Sequence, residues 1–189
     1  MTDPFLCSMN RKLSMDELGR ISADEFHGMK KIPIVLILEN IRSASNVGSV
    51  FRSSDSFAID KIYLCGYTAT PPHREILKTA LGATESVTWE YVGSSLEVID
   101  LLRKDGFTIT SVEQTEKSIP LGSFRPQADQ KLALILGNEV DGVSAESIAK
   151  SDFCLEIEQF GTKHSLNVSV CAGIVLFYLG LFFHREETS

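Results

Sequence analysis

A chain of 189 residues with 43% hydrophobic and 23% charged residues has the makeup of one globular domain with a short appendage, which excludes a disordered or fibrous protein. Its formal net charge of −7 excludes a global basic field for nucleic acid, so any RNA site must be a local patch on an acidic protein. Four cysteines (Cys7, Cys65, Cys154 and Cys171) lack C-x-x-C or other metal-ligand spacing, so free thiols and no metal site are expected. The opening Met1-Thr-Asp-Pro lacks the basic-then-apolar pattern of a signal peptide, and a reducing cytoplasm is the expected location.

Residues 1–13 read as a loose tail. Ser14 with Glu17 makes a capping box, and Leu18, Ile21, Phe26 and Met29 predict a short amphipathic helix ending near Gly28. Arg11, Lys12, Arg20, Lys30 and Lys31 make this arm basic, so it either lies as a solvated helix or reaches toward a polyanion. Residues 1–31 are therefore read as an appendage and 32–189 as the domain.

Ile32–Leu38 is aliphatic without alternation, the pattern of a central parallel strand covered on both faces. Glu39–Arg52 turns and enters a helix through about Phe57. Asp60–Cys65 is a second strand, Gly66–Pro72 a loop, and His73–Lys78 a short helix stopped by Gly82. Ser86–Val92 alternates as strand three. Ser94 and Glu97 form another capping box, opening a helix through Lys104 that Gly106 closes. Phe107–Val112 is strand four, Lys131–Leu136 strand five, and Phe153–Ile157 strand six, with a brief helix from Ser144 to about Lys150. A last helix is expected from Ser165, as N-cap, to about Arg185.

Asn167–Phe183 carries no charge, but it is at the low edge of the length needed for a membrane span and contains Asn167, Ser169, Gly173 and Gly180. A helix buried in a core or a subunit interface is the preferred reading. Strands alternating with helices at short spacing predict an α/β fold, a mostly parallel six-stranded sheet with helices on both faces.

Ligand sites of such sheets lie at the strand carboxyl ends. Three polar, glycine-bearing turns occupy those ends: Asn40–Arg52, Gly137–Gly142 and Gln159–Asn167. The amides opening the last helix, with Lys163 and His164 beside them, favour a polar or anionic group. No G-x-G-x-x-G, P-loop, H-E-x-x-H or nucleophile elbow is present, so a pyrophosphate-held ligand is not expected. Ser147-Ile-Ala-Lys150 matches S-x-x-K without companion motifs and reads as chance.

At these turns the chain resembles the SpoU/TrmH family of the SPOUT superfamily, RNA ribose 2′-O-methyltransferases that use S-adenosylmethionine. The motifs are Asn40-x-Arg42-x-x-x-Asn46-x-Gly48-x-x-x-Arg52, then Leu136-Gly137-Asn138-Glu139-x-x-Gly142, then Gly161-x-x-x-Ser165-Leu166-Asn167-Val168-Ser169. Lys78-Thr-Ala-Leu-Gly82-Ala83 also looks like a family segment, and the likeness covers about residues 32–183. It implies a C-terminal trefoil knot, a homodimer, and a cofactor bent into the knotted loops. By position, Glu113, Leu136, Gly137, Asn138, Ile157, Gln159, Ser165 and Leu166 would line that cofactor. Glu158 stands where the family usually has proline, which implies either a looser turn or a carboxylate near the cofactor.

The resemblance assigns Arg52 as the catalytic residue. A guanidinium, with pKa above about 12, is a poor base, so its expected role is to hold the ribose hydroxyl and adjacent phosphate in its donor fork. Asn46 is expected to hold the nucleotide or Arg52, Glu139 to orient the loops, and Ser165 and Asn167 to place the substrate. Candidate phosphate contacts are Arg42, Arg52, His73, Arg74, Lys78, Lys163 and His164. Residues 1–31 are too short for a separate RNA-binding domain, so substrate choice is expected to rest on the core, the arm and a second subunit. The expected activity is S-adenosylmethionine-dependent 2′-O-methylation of RNA, tRNA favoured over rRNA. The alternatives are a non-catalytic RNA-binding or assembly protein and a nucleotide-dependent α/β enzyme.

Overall fold

The unbroken aliphatic run Ile34–Leu38 demands cover on both sides, and the fold supplies it. The computed structural model describes residues 11–14, 16–19 and 21–183. Seven strands form one sheet: β1 (Ile32–Glu39), β2 (Ile59–Cys65), β3 (Trp89–Val92), β4 (Thr108–Val112), β5 (Ile119–Pro120), β6 (Leu132–Leu136) and β7 (Phe153–Glu156). Their order is β3-β2-β1-β6-β4-β7-β5, every pairing parallel. Alternate β1 side chains enter two separate cores. Ile34, Leu36 and Leu38 join the core that includes Val47 and Phe51 of α2 (Ala44–Ser56) and Leu176 of α7 (Val168–Phe183). Val35 and Ile37 join Val98, Ile99 and Leu102 of α5 (Ser95–Lys104). Each fully buried aliphatic chain contributes about 1.5–3 kcal/mol, so the two-sided strand anchors the helices on both faces of the sheet.

The sheet has seven strands where six are expected. The extra strand, β5, is two residues long, too short for any periodicity, and its Pro120 is tolerated because β5 is an edge. The expected strand Ser86–Val92 is shortened, since Ser86 closes α4 (Ala83–Ser86) and donates to Asp55 Oδ2 at 2.5 Å. Ser94 caps α5 through the Leu96 N–H (3.2 Å) rather than through a reciprocal box with Glu97.

The amphipathic N-terminal helix is two pieces. The Ser14–Glu17 box forms, with the Ser14 N–H on Glu17 Oε2 at 2.8 Å, but it serves only a 3-10 turn that ends at Gly19. A second box, Ser22 with Glu25, opens α1 (Ala23–Gly28). Phe26 is buried in the first core and His27 Nε2 meets the Glu85 carbonyl at 2.9 Å, so α1 rests on the domain. Arg11 pairs with Glu17, while Cys7, Arg20 and the expected helix end near Arg185 lie outside the described residues.

Two short helices complete the layers, α3 (Arg74–Ala80) beside α2 and α6 (Ala145–Lys150) beside α5. Gly48 lets α2 and α3 touch: a Cβ there would stand 2.1 Å from Thr79 Oγ1 and 2.3 Å from the Ile76 carbonyl oxygen. That contact holds the first motif against the Lys78–Ala83 segment.

The last helix starts at Val168, not Ser165. Ser165 is exposed in the preceding loop, and Asn167 takes over the capping, its Oδ1 accepting from the N–H groups of Ser169 (2.9 Å) and Val170 (3.4 Å). The helix is apolar all round yet covered on one face only. Val168, Ala172, Val175, Leu176 and Leu179 are buried, whereas Val170, Ile174, Phe177 and Leu181 form an exposed stripe. Among the described residues no helix is long and apolar enough to cross a membrane.

Candidate functional site

The three polar turns meet at the carboxyl ends of β1, β6 and β7. Glu139, in the turn after β6, places its carboxylate on the start of α2. Oε2 accepts from the Arg42 N–H (2.8 Å), and Oε1 accepts from the Ser43 N–H (3.0 Å) and Asn46 Nδ2 (2.8 Å). Unpaired amides and the positive helix end favour a carboxylate there. Partial burial works to raise the Glu139 pKa, but the Arg42 N–H, the Asn46 amide and the Ser43 N–H outweigh it and hold the carboxyl below its usual range.

Asn46 passes the link on. Its Oδ1 accepts from Asn167 Nδ2 at 3.1 Å, and Asn167 Oδ1 accepts from Ser169 Oγ at 2.6 Å as well as capping α7. One chain of hydrogen bonds, Glu139–Asn46–Asn167–Ser169, thus ties together three motifs far apart in sequence. Arg52 lies further along α2, exposed, and among the described residues its guanidinium has no hydrogen-bond or ion-pair partner. It shares a hollow of about 420 Å³ with Lys78, Thr79, Ser169 and Val170.

A separate cleft of about 450 Å³ opens over the ends of β4, β6 and β7. Glu113 comes from the end of β4, and Leu136, Gly137 and Asn138 from the end of β6. Ile157 and Gln159 follow β7, and Ser165 and Leu166 precede α7. All eight residues that the resemblance places around a cofactor therefore share this cleft. Glu139 also lines it, while Asn46, Arg52 and Asn167 do not. The cleft and the Arg52 hollow flank the first turn of α7, with Val168 and Cys171 on one side and Ser169 and Val170 on the other. The cleft and the hollow are thus two cavities separated by one helical turn.

The β6 turn is tightly closed. Asn138 and Gly142 exchange backbone hydrogen bonds of 3.0 and 2.9 Å, and a Cβ on Gly137 would stand 2.2 Å from Val143 N. The Asn138 side chain is occupied: Nδ2 donates to the Asn40 carbonyl (3.0 Å) and Oδ1 accepts from the Val140 N–H (2.7 Å). Glu113 braces the same turn by accepting from the Val143 N–H at 3.0 Å. Glu113, Glu139, Asp141 and Glu156 line the cleft without any lysine or arginine, His164 being the one basic side chain there. That lining favours a cationic ligand and disfavours a phosphate.

Of the two readings made for Glu158, the carboxylate beside the cofactor does not fit the cleft lining. Glu158 is exposed and faces an adjoining groove of about 390 Å³ with Phe160, Lys163 and His164, outside the cleft. Of the other cationic candidates, Lys78 lies in the Arg52 hollow, Lys163 in the groove, and His164 in both groove and cleft. Arg42, His73 and Arg74 are exposed outside these cavities, and His73 caps α3. The S-x-x-K match carries no chemistry, because Ser147 Oγ donates to Glu39 Oε1 (2.7 Å) and Lys150 pairs with Asp100 (2.6 Å).

Sequence reasoning missed Asp141, Glu156 and Cys171 in the cleft. Cys171 had a signal, since it falls one helical turn after Asn167. It also missed Glu39, buried at the end of β1 and bound by Ser95 Oγ (2.5 Å), Ser147 Oγ (2.7 Å), and the N–H (2.8 Å) and Oγ (3.0 Å) of Ser144. Burial pushes the thiols of Cys65 and Cys171 up to about 12, so neither is a nucleophile at neutral pH. Among the described residues no group of side chains could hold a metal ion.

Comparison with known proteins meets this geometry. A protein of Borreliella burgdorferi named an uncharacterized tRNA/rRNA methyltransferase is 32% identical over 148 residues, 78% of this chain and 64% of that one. A Staphylococcus aureus protein named for the TrmH family of tRNA/rRNA methyltransferases is 29% identical over 144 residues, 76% of this chain and 56% of that one. The chain therefore spans about three-fifths of the length of these relatives. In fold it matches the A. aeolicus TrmH/SpoU tRNA modifying enzyme, with TM-score 0.74, 23% identity, and 88% and 81% of the two chains covered. It also matches an AdoMet-bound rRNA methyltransferase of Sinorhizobium meliloti, with TM-score 0.73, 21% identity, and 82% and 59% covered. The SpoU rRNA methylase family model matches residues 33–177, and the chain belongs to that family.

Proposed function

We propose that this protein is an S-adenosylmethionine-dependent RNA methyltransferase that methylates a ribose 2′-hydroxyl, of tRNA in preference to rRNA. The observation that carries the reading is the hydrogen-bond chain Glu139–Asn46–Asn167, which joins the three family motifs between an acidic cleft and an unpaired arginine. The acidic lining without lysine or arginine suits a sulfonium- and ammonium-bearing cofactor that has no phosphate. Gly137, Ile157 and Leu166 would hold it largely through backbone, Glu113 bracing the wall. Bound there, S-adenosylmethionine supplies an activated methyl group.

The remaining work falls to the chain. Arg52 grips the ribose and its phosphate in a rigid donor fork, restricting the hydroxyl to a productive approach. Asn46 and Asn167 keep the starts of α2 and α7 in register, so the hollow and the cleft hold their spacing. The homodimer and the threading of the chain into a knot belong to the same proposal. The exposed α7 stripe begins at Val170, which also lines the Arg52 hollow, so a second copy covering the stripe would complete the wall around Arg52. The tRNA preference rests on the extent of the match to the A. aeolicus tRNA modifying enzyme, which spans most of both chains.

Calorimetric titration with S-adenosylmethionine, followed by transfer of a labelled methyl group to tRNA and rRNA fractions, tests this. Binding with label in tRNA, at a linkage that resists alkaline cleavage, is the expected outcome. Label on a base overturns the ribose assignment. Absence of cofactor binding with RNA affinity intact favours a non-catalytic RNA-binding protein.

A further inference from the structure

Tyr67, just beyond β2, exposes 62% of its surface, and a side chain so open gains little from packing. Its position is nonetheless fixed from both ends. The backbone N–H donates to Asn40 Oδ1 at 3.2 Å, and the hydroxyl accepts from Asn138 Nδ2. The next residue, Thr68, is buried; its Oγ1 accepts from the Ile41 N–H (2.9 Å) and donates to the Leu38 carbonyl (3.0 Å). Tyr91 at the end of β3 repeats the design, 51% exposed with its hydroxyl donating to the Gly66 carbonyl at 3.0 Å. Both rings are open to solvent while their hydroxyls are tied down. The ties of Tyr67 run to Asn40 and Asn138, members of two of the three turns that build the site.

With a net charge of −7 the chain has no global basic field, so a contact to the bases adds to what its local phosphate contacts supply. A fixed, exposed ring supplies one by base stacking, which changes affinity by about 5- to 150-fold per base and tolerates any sequence. Resting on the RNA methyltransferase reading, we propose that Tyr67, with Tyr91 beside it, is a stacking platform for an unpaired nucleobase of the RNA, flanking the nucleotide at the site. The hydroxyl is the anchor and the ring face is the contact.

Binding of labelled oligouridylate and of unfractionated tRNA, measured by anisotropy on the full chain with S-adenosylmethionine affinity and melting temperature in parallel, tests the proposal. Tyr67→Leu is expected to weaken RNA binding about tenfold and to leave cofactor affinity and melting unchanged. Tyr67→Phe and Tyr67→Trp, which keep a ring, are expected to retain most of the RNA affinity. Equal losses in Tyr67→Phe and Tyr67→Leu overturn it, since the hydroxyl anchor alone would then matter. Unchanged RNA affinity in Tyr67→Leu with altered sedimentation overturns it in favour of a protein contact. A native chain that binds neither cofactor nor RNA overturns the methyltransferase reading and this proposal with it. Native binding of both, with Tyr67→Leu indistinguishable from native, overturns this proposal alone.

Discussion

At the residue scale, two side chains of opposite habit carry the sharpest expectations. Arg52 is exposed and unpaired among the described residues, so Arg52→Ala should change stability by no more than about 0.5 kcal/mol. Methyl transfer should nevertheless fall by at least about 100-fold with cofactor affinity intact, since the fork proposed to position the ribose is gone. Single-turnover rates and calorimetry on one preparation check this; normal turnover by the variant ends the assignment. Glu39 is the reverse case, a buried carboxylate satisfied by three serines and a backbone N–H. Burial works to raise its pKa, but the Ser144 N–H and the hydroxyls of Ser147, Ser95 and Ser144 together hold it below the usual value. A depressed folded-state pKa means its stabilisation is complete above the ordinary glutamate value of about 4.3 and is lost as pH falls through the folded value. Glu39→Gln, which leaves a donor without an acceptor, should cost about 1–3 kcal/mol at neutral pH, a melting decrease of roughly 3–10 °C. The penalty should shrink at acid pH, and melting curves of the two proteins that stay parallel down to pH 3 would sink this account.

At the scale of elements, the turn after β6 is the most constrained piece of the site. Gly137→Val would drive side-chain atoms into the Gly142–Val143 backbone, so the turn must shift and the cleft wall with it. S-adenosylmethionine affinity should fall by at least about tenfold, as one misplaced wall costs 1.4 kcal/mol or more. An unchanged dissociation constant removes Gly137 from the pocket. Elements were legible in the sequence where one strong local pattern governed them, as in the apolar β1 and the Ser14–Glu17 capping box. They blurred where two local signals competed. Ser165 and Asn167 are both good caps, and Asn167 wins because its amide also meets Asn46 at 3.1 Å, a partner 121 residues away. Gly19 split a helix that its apolar spacing favoured, and β5 exists only because the edge of β7 was there to receive it.

At the scale of the whole molecule, α7 poses the remaining question of cover. Its exposed stripe of Val170, Ile174, Phe177 and Leu181 fits a second copy of the chain, and Phe177 is held edge-on against Phe57 at 6.2 Å between ring centres. Native protein should sediment as a dimer, and Phe177→Asp, at a site already exposed, should shift it to monomer without unfolding it. A native monomer at micromolar concentration would refute the dimer. The amino-acid order alone was enough for the α/β class, the acidic surface, the three motif turns and the uncharged last helix. The acidity follows from composition, and the rest from patterns a few residues long, namely apolar runs, turn chemistry and caps. Partnership across the chain came only with the fold: Glu139 on the Arg42 amide 97 residues away, the placing of Arg52 in a hollow apart from the cleft, and the anchoring of Tyr67. Strand order sets which turns become neighbours, and no local pattern encodes strand order.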